Sequence, residues 1–188
     1  GDKIMPAVRA LLGLFPKKNR YATKDYHKLG SLFLASSYEG LDPLTILAVD
    51  KGHADSYRKD NPGATVINVG EWTKEDNKIA PYWNGKGEQP EGAFSRFTLA
   101  QLKEYLSKAR GRVAILWPDH GIIGTEEAEL HPSISEDEFI HVLAKGRNPL
   151  AHSYSGFKDD IGQATGLAET IKAAGYKRLF IVGLASDY

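Results

Sequence analysis

Strand-length apolar runs that stop abruptly on polar side chains set the strongest limit on how this chain can fold. Residues 20–27 (RYATKDYH) read as an extended segment ending on Asp25 and His27, and residues 139–145 (FIHVLAK) end on Lys145. Residues 178–185 (RLFIVGLA) run into Ser186 and Asp187. This last run is apolar almost without alternation, as expected of a parallel strand covered on both faces. Residues 44–50 (LTILAVD), 64–69 (ATVINV) and 113–116 (VAIL) read as further short strands.

Helical patterns alternate with these runs. Ile4, Val8, Leu11, Leu12 and Phe15 form an amphipathic stripe, with Pro6 in the first turn and Gly13 and Pro16 at the end. Thr98 is placed to cap a helix over 99–109 with Leu99, Leu102, Tyr105 and Leu106 on one face and Gly111 closing it. Thr165 is placed to cap another over 166–174, with Leu167 and Ile171 inward and Gly175 ending it. Residues 31–37 lean apolar without a clear period. A charged, turn-rich stretch around 59–63 (KDNPG) separates two strands, and 84–92 (NGKGEQPEG) is loop chemistry. The alternation predicts an α/β fold with a mostly parallel sheet.

Composition narrows the function. The 188 residues suit a single domain. Lys+Arg 24 balances Asp+Glu 24, so no broad field for nucleic acid exists. No apolar run approaches the roughly 20 residues of a membrane span. Cysteine is absent, which removes disulfides, thiolate metal sites and a cysteine nucleophile. With no signal peptide pattern, the cytoplasm is the expected location. The chain begins on a glycine and ends just after an apolar run, which suggests a segment of a longer protein.

In open α/β sheets ligands bind beyond the carboxyl ends of the strands. Asp25 and His27 alternate along an extended segment, so both side chains can point the same way. His120 comes after the 113–116 run within Trp117-Pro118-Asp119-His120-Gly121. Together they would form an N/O site suited to one divalent metal ion, Zn²⁺, Fe²⁺ or Mn²⁺. Lys145 closing an apolar strand serves either a carboxylate or a nucleophile, or else the strand has reached water and the side chain snorkels. Trp117 is a core residue or a pocket wall, and Tyr154 and Phe157 line a pocket or simply pack. His53, His141 and His152 show no partner pattern and read as solvated or packed.

Four blocks in register carry a resemblance. They are residues 20–27, residues 117–132 (WPDHGIIGTEEAELHP), Lys145-Gly146 with residues 153–157 (SYSGF), and residues 182–188 (VGLASDY). They resemble the nicotinamidase/pyrazinamidase branch of the isochorismatase-like cysteine hydrolases. The resemblance implies a three-layer α/β/α fold around a central mostly parallel sheet, with residues 44–112 as a long insertion in a single domain spanning 1–188. It implies hydrolysis of nicotinamide to nicotinate and ammonia through a cysteine thioester, in NAD salvage. It marks Asp25, His27 and His120 as metal ligands, with Zn²⁺ ahead of Fe²⁺ or Mn²⁺, and Lys145 as the catalytic lysine. Trp117 and Tyr154 would line the nicotinamide pocket. Leu184 and Ala185 match a cis-peptide segment that presents an oxyanion-hole amide.

This chain departs from that pattern in lacking the family's first strand with its catalytic aspartate, and the nucleophilic cysteine that would come after Tyr188. The alternatives are another isochorismatase-like hydrolase, or an inactive nicotinamide-binding homologue. Partners expected are the small-molecule substrate and a second copy in a homo-oligomer, with neither nucleic acid nor membrane; the insertion either covers the pocket or forms a subunit contact.

Overall fold

A computed structural model describes residues 2–73, 78–80 and 96–183. Its elements in chain order include α1 (Met5–Gly13), β1 (Tyr21–Asp25), β2 (Ile46–Ala48), α2 (Lys51–Asp60), β3 (Val66–Asn68), α3 (Leu99–Lys108), β4 (Val113–Ile115), β5 (His141–Lys145) and α4 (Leu167–Ala173). Strands β1 and β5 pair in parallel, with Tyr21 opposite His141 and Asp25 opposite Lys145. The second sheet has the order β3-β2-β4. Its β2–β3 pair is parallel and β4 runs antiparallel to β2, so the strand pairing is mostly parallel, as the sequence predicts. Gly111 and Arg112 both take left-handed conformations, φ 69° and 55°, and this sharp turn after α3 sends β4 into the sheet against the direction of β2.

The pleat of β2 explains how the layers stack. Leu47 faces a core shared with Leu32, Phe33, Leu34, Leu102, Leu106 and Leu116. Ile46 and Ala48 face the other way, with Ala54 of α2 and Val66. Both faces of β2 are therefore covered, and all three of its residues are buried. Helix α3 is started by a reciprocal capping box between Thr98 and Gln101, as its sequence predicts. At α4 the sequence placed the cap one residue early: Gly166, with φ 87°, is the N-cap, and Thr165 Oγ1 accepts from Leu167 N at 3.3 Å.

Residues 31–37 have no period because they form no regular element beyond a short 3₁₀ turn, Ala35–Ser37. Leu32, Phe33 and Leu34 are nevertheless buried. Their main chain is satisfied from outside: Leu32 N donates to Pro149 O at 2.9 Å, and Trp117 N to Phe33 O at 2.8 Å. Helix α2 went unread for the opposite reason. Only Ala54 of its ten residues is buried, so no apolar stripe exists to detect. Its one sequence signal is Asp50, whose side chain accepts from His53 N at 2.9 Å.

The run at 178–185 does not behave as predicted within the described residues. Residues 178–183 form no strand, and Leu179, Phe180, Ile181 and Val182 stay exposed. A strand covered on both faces needs a paired edge and two apolar layers, and neither reaches these residues here. Among the described residues no helix is long and apolar enough to cross a membrane.

Leu106 is fully buried in the main core. Leu106→Ala should lower the unfolding free energy by about 2–5 kcal/mol through lost transfer energy and a residual cavity, read by urea denaturation. A loss below ~1 kcal/mol would mean that α3 is not packed as described.

Candidate metal centre

The β1–β5 register brings Asp25 and Lys145 side by side at the carboxyl ends of the two strands. Lys145 Nζ donates to Asp25 Oδ1 at 2.5 Å and to Ser153 O at 2.7 Å. The lysine is largely buried, its side chain 13% exposed against 37% for Asp25. Burial alone would raise the Asp25 carboxyl, but the neighbouring His27 ring and the Lys145 ammonium outweigh it and hold the group well below the usual carboxylate range. Lys145 makes a direct hydrogen bond to Oδ1, whereas His27 Nε2 lies 3.4 Å from the same oxygen without one. Lys145 is thus paired, which settles the sequence's open choice against a snorkelling side chain.

Just past β1, His27 is wholly buried and clamped by main chain. Its backbone N–H donates to Gly121 O at 2.8 Å, and its own carbonyl accepts from Ile123 N at 2.9 Å. Its Nδ1 lies 3.0 Å from Gly146 O. A carbonyl only accepts, so Nδ1 carries the proton and Nε2 of the neutral ring is left with a lone pair. Two glycines make this packing possible. A Cβ on Gly146 (φ 73°) would sit 2.1 Å from His27 Cε1, and one on Gly121 (φ 54°) would sit 2.6 Å from Asp25 Cβ.

His120 arrives on the segment after β4, which bridges to Leu34 at Trp117 and to His27 at Ile122. His120 Nδ1 is 2.8 Å from Pro118 O, which again reserves Nε2 for another partner. Its ring centroid is 4.8 Å from that of His27. A third imidazole, His152, comes from the loop after β5. It is 5% exposed and packs 4.5 Å from Phe33 and 4.1 Å from Tyr154, centroid to centroid. Burial pushes His152 down to about 3, with the neighbouring His27, His120 and Lys145 side chains adding to it against an opposing Asp25. The ring is therefore neutral near pH 7, as a metal ligand must be.

One ligand atom from each of His27, His120 and His152 lies within 4.8 Å of the others, so the three can hold a metal ion. The donor set fits such an ion on a second count: His27 Nε2 and His152 Nδ1 are buried with no hydrogen-bond partner. Sequence reasoning missed His152, because no strand alternation or helical spacing relates it to His27. Its only signal was its place seven residues after Lys145, beside the 153–157 block.

Of the other predicted residues, Trp117 Nε1 donates to Tyr154 OH at 2.9 Å, and Tyr154 stands edge-on to His152. Leu184 and Ala185, with Ser186 and Asp187, lie outside the described residues. The His152 loop is braced from α3. Asp160 N donates to His152 O at 2.9 Å, and Tyr105 OH donates to Asp160 Oδ2. Burial raises the Asp160 carboxyl to about 6, with Asp159 adding to it against the Tyr105 hydrogen bond.

The chain has an α/β fold similar to that of a nicotinamidase. A solved structure described as an Acinetobacter baumanii nicotinamidase/pyrazinamidase superposes with a TM-score of 0.60 at 21% identity, over 99% of this chain and 60% of that one. The sequence is similar to curated nicotinamidases. It is 39% identical over 75 residues to that of Acinetobacter baylyi and 40% identical over 73 residues to that of Escherichia coli. These matches take in 39% and 38% of this chain, and 35% and 34% of the relatives; the match thus spans about a third of their length. No family model matches the chain.

Two of these packing arrangements can be tested by substitution. Gly146→Ala should cost at least about 2 kcal/mol, from left-handed strain plus displacement of the His27 ring, seen as a lowered melting temperature; an unchanged one would refute the packing. For Asp160 the folded pKa is raised, so the folded state binds the proton more tightly. Its ionisation thus costs stability above pH ~6, and that cost is relieved as pH falls toward ~4. Asp160→Asn should be more stable than the parent at pH ~7.5 by about 1 kcal/mol after solvent screening. That advantage should shrink by pH ~4; a pH-independent difference would contradict the assignment.

Proposed function

We propose that this chain belongs to a protein that hydrolyses nicotinamide to nicotinate and ammonia with the help of one divalent metal ion, Zn²⁺ ahead of Fe²⁺ or Mn²⁺. The observation that carries the reading is the pair of buried, unpartnered imidazole nitrogens beside the ion pair of the largely buried Lys145 with Asp25. The similarity to curated nicotinamidases supports it.

In this reading Asp25, His27 and His120 surround the metal, as the sequence resemblance implies. When bound there, the ion supplies a Lewis acid that can hold a heteroaromatic nitrogen and so fix the ring. The chain's own residues do the rest. Trp117 and Tyr154, tied by their hydrogen bond, form an aromatic wall against which a planar pyridine ring can lie. Orienting the ring aims its carboxamide at the lysine side of the site. Lys145 keeps a positive charge next to the reacting carbon and stabilises anionic species there. The resemblance assigns nucleophilic attack to a cysteine thiolate, with ammonia leaving and water then cleaving the thioester. These 188 residues hold no cysteine, so in this reading the nucleophile belongs to residues beyond them. Leu184 and Ala185 would offer backbone N–H groups to the oxyanion.

We read residues 44–112 as an insertion within one domain. Packing of Leu102 and Leu106 against residues 32–34 and the reach of Tyr105 to Asp160 support a role in bracing the His152 loop. The reading extends to NAD salvage in the cytoplasm, to assembly as a homo-oligomer, and to a small-molecule partner in place of nucleic acid or membrane.

Ammonia release from nicotinamide by the full-length protein tests the proposal. Lys145→Met should lower kcat/KM by about 100-fold or more. Full activity of the isolated 188 residues would overturn the thioester route. The absence of cysteine favours one rival, a nicotinamide-binding homologue without catalysis; calorimetric binding by the full-length protein with no ammonia released would establish it.

A further inference from the structure

The loop between β5 and α4 brings His152 beside the metal donors and Tyr154, two residues on, against Trp117. His152 Nδ1 is buried without a hydrogen-bond partner. Leaving such an atom unpaired costs about 1–3 kcal/mol, and the rings packed on it, Phe33 and Tyr154, supply no partner. A ring nitrogen of His152 lies within 4.8 Å of those of His27 and His120. The neutral ring carries a lone pair on one nitrogen.

The backbone around His152 is already held where the ring faces those donors. Leu32 N donates to Pro149 O at 2.9 Å, Asp160 N to His152 O at 2.9 Å, and Lys145 Nζ to Ser153 O at 2.7 Å. Asp25 Oδ1 stands 3.4 Å from His27 Nε2, well inside the span that the three imidazoles cover. A carboxylate presents about four lone-pair sites, so Asp25 can hold the Lys145 ammonium and still face an ion.

We infer that His152 is an additional metal ligand beside Asp25, His27 and His120, and that the ion thereby fastens the β5–α4 loop to the strand ends. Tyr154, on the pocket wall, is then placed in part by the metal. The inference rests on the reading that this site binds a divalent ion. It adds a ligand to the set that the sequence resemblance implies and removes none. One carboxylate with three imidazoles suits Zn²⁺ or Fe²⁺, and a further position stays open for a substrate nitrogen.

The test uses the full-length protein loaded with one equivalent of Zn²⁺, without substrate. X-ray absorption at the zinc edge should show three imidazoles and a carboxylate oxygen on the parent, and two imidazoles in His152→Asn and His152→Phe. Zn²⁺ affinity, read by competition titration, should fall at least about 10-fold in both variants. Adding Zn²⁺ should slow amide hydrogen exchange over residues 150–161 at least about 10-fold in the parent and not in the variants. Two imidazoles on the loaded parent, or variants that keep its affinity and spectrum, would overturn the inference and leave metal binding itself standing. Loop exchange that Zn²⁺ leaves unchanged in the parent would overturn the fastening. A parent that binds no Zn²⁺ would sink both the inference and the metal-dependent reading. Three imidazoles together with no ammonia released from nicotinamide would support the ligand and remove only the proposed reaction.

Discussion

The parallel register of β1 on β5 is the constraint on which the site depends. It sets Asp25 against Lys145 at the strand ends, and the chain leaving each strand supplies the neighbouring groups: His27 after β1, Gly146 and then His152 after β5. A slip of one residue would set Lys24 opposite Lys145 and turn every side chain of β1 to the other face. Lys24 has its own partners on that other face, Glu129 at 2.6 Å and Glu136 at 2.8 Å. Charge on the two faces of one five-residue strand therefore favours a single alignment. Exposed pairs of that kind add little stability individually; their worth here lies in excluding the alternative.

Segments whose side chains repeat with the period of their own backbone were legible from sequence. Helix α3 shows an apolar stripe and a capping box, and β1 and β5 show apolar runs ending in the polar residues of the candidate site. Helix α2 was not legible, because a helix that buries a single alanine has no stripe. Residues 31–37 were not legible, because their burial comes from loops closing over them. Residues 178–183 misled for a related reason: apolar content reports what a segment can bury, while its partners decide whether it does.

The site divides in the same way. Asp25, His27, His120 and Lys145 sit at the ends of apolar runs, so a rule about strand ends reaches them. His152 sits in a loop, and its nearness to His27 is produced by tertiary packing through Phe33 and Tyr154. Its loop in turn leans on Tyr105, far away in sequence. Helix α3 therefore contributes to the site without touching it, by fixing where a loop from another part of the chain can rest.

The imidazoles His27 and His120 are both oriented by main-chain carbonyls, those of Gly146 and Pro118. In many metal sites that outer hydrogen bond falls to a carboxylate side chain, which a single codon change can delete. Here the acceptor is part of the peptide link and survives any substitution that leaves the backbone path intact. The site's tolerance to mutation is therefore governed by chain geometry rather than by the identity of its outer residues. Relatives that share the geometry need not share any side chain that would reveal it.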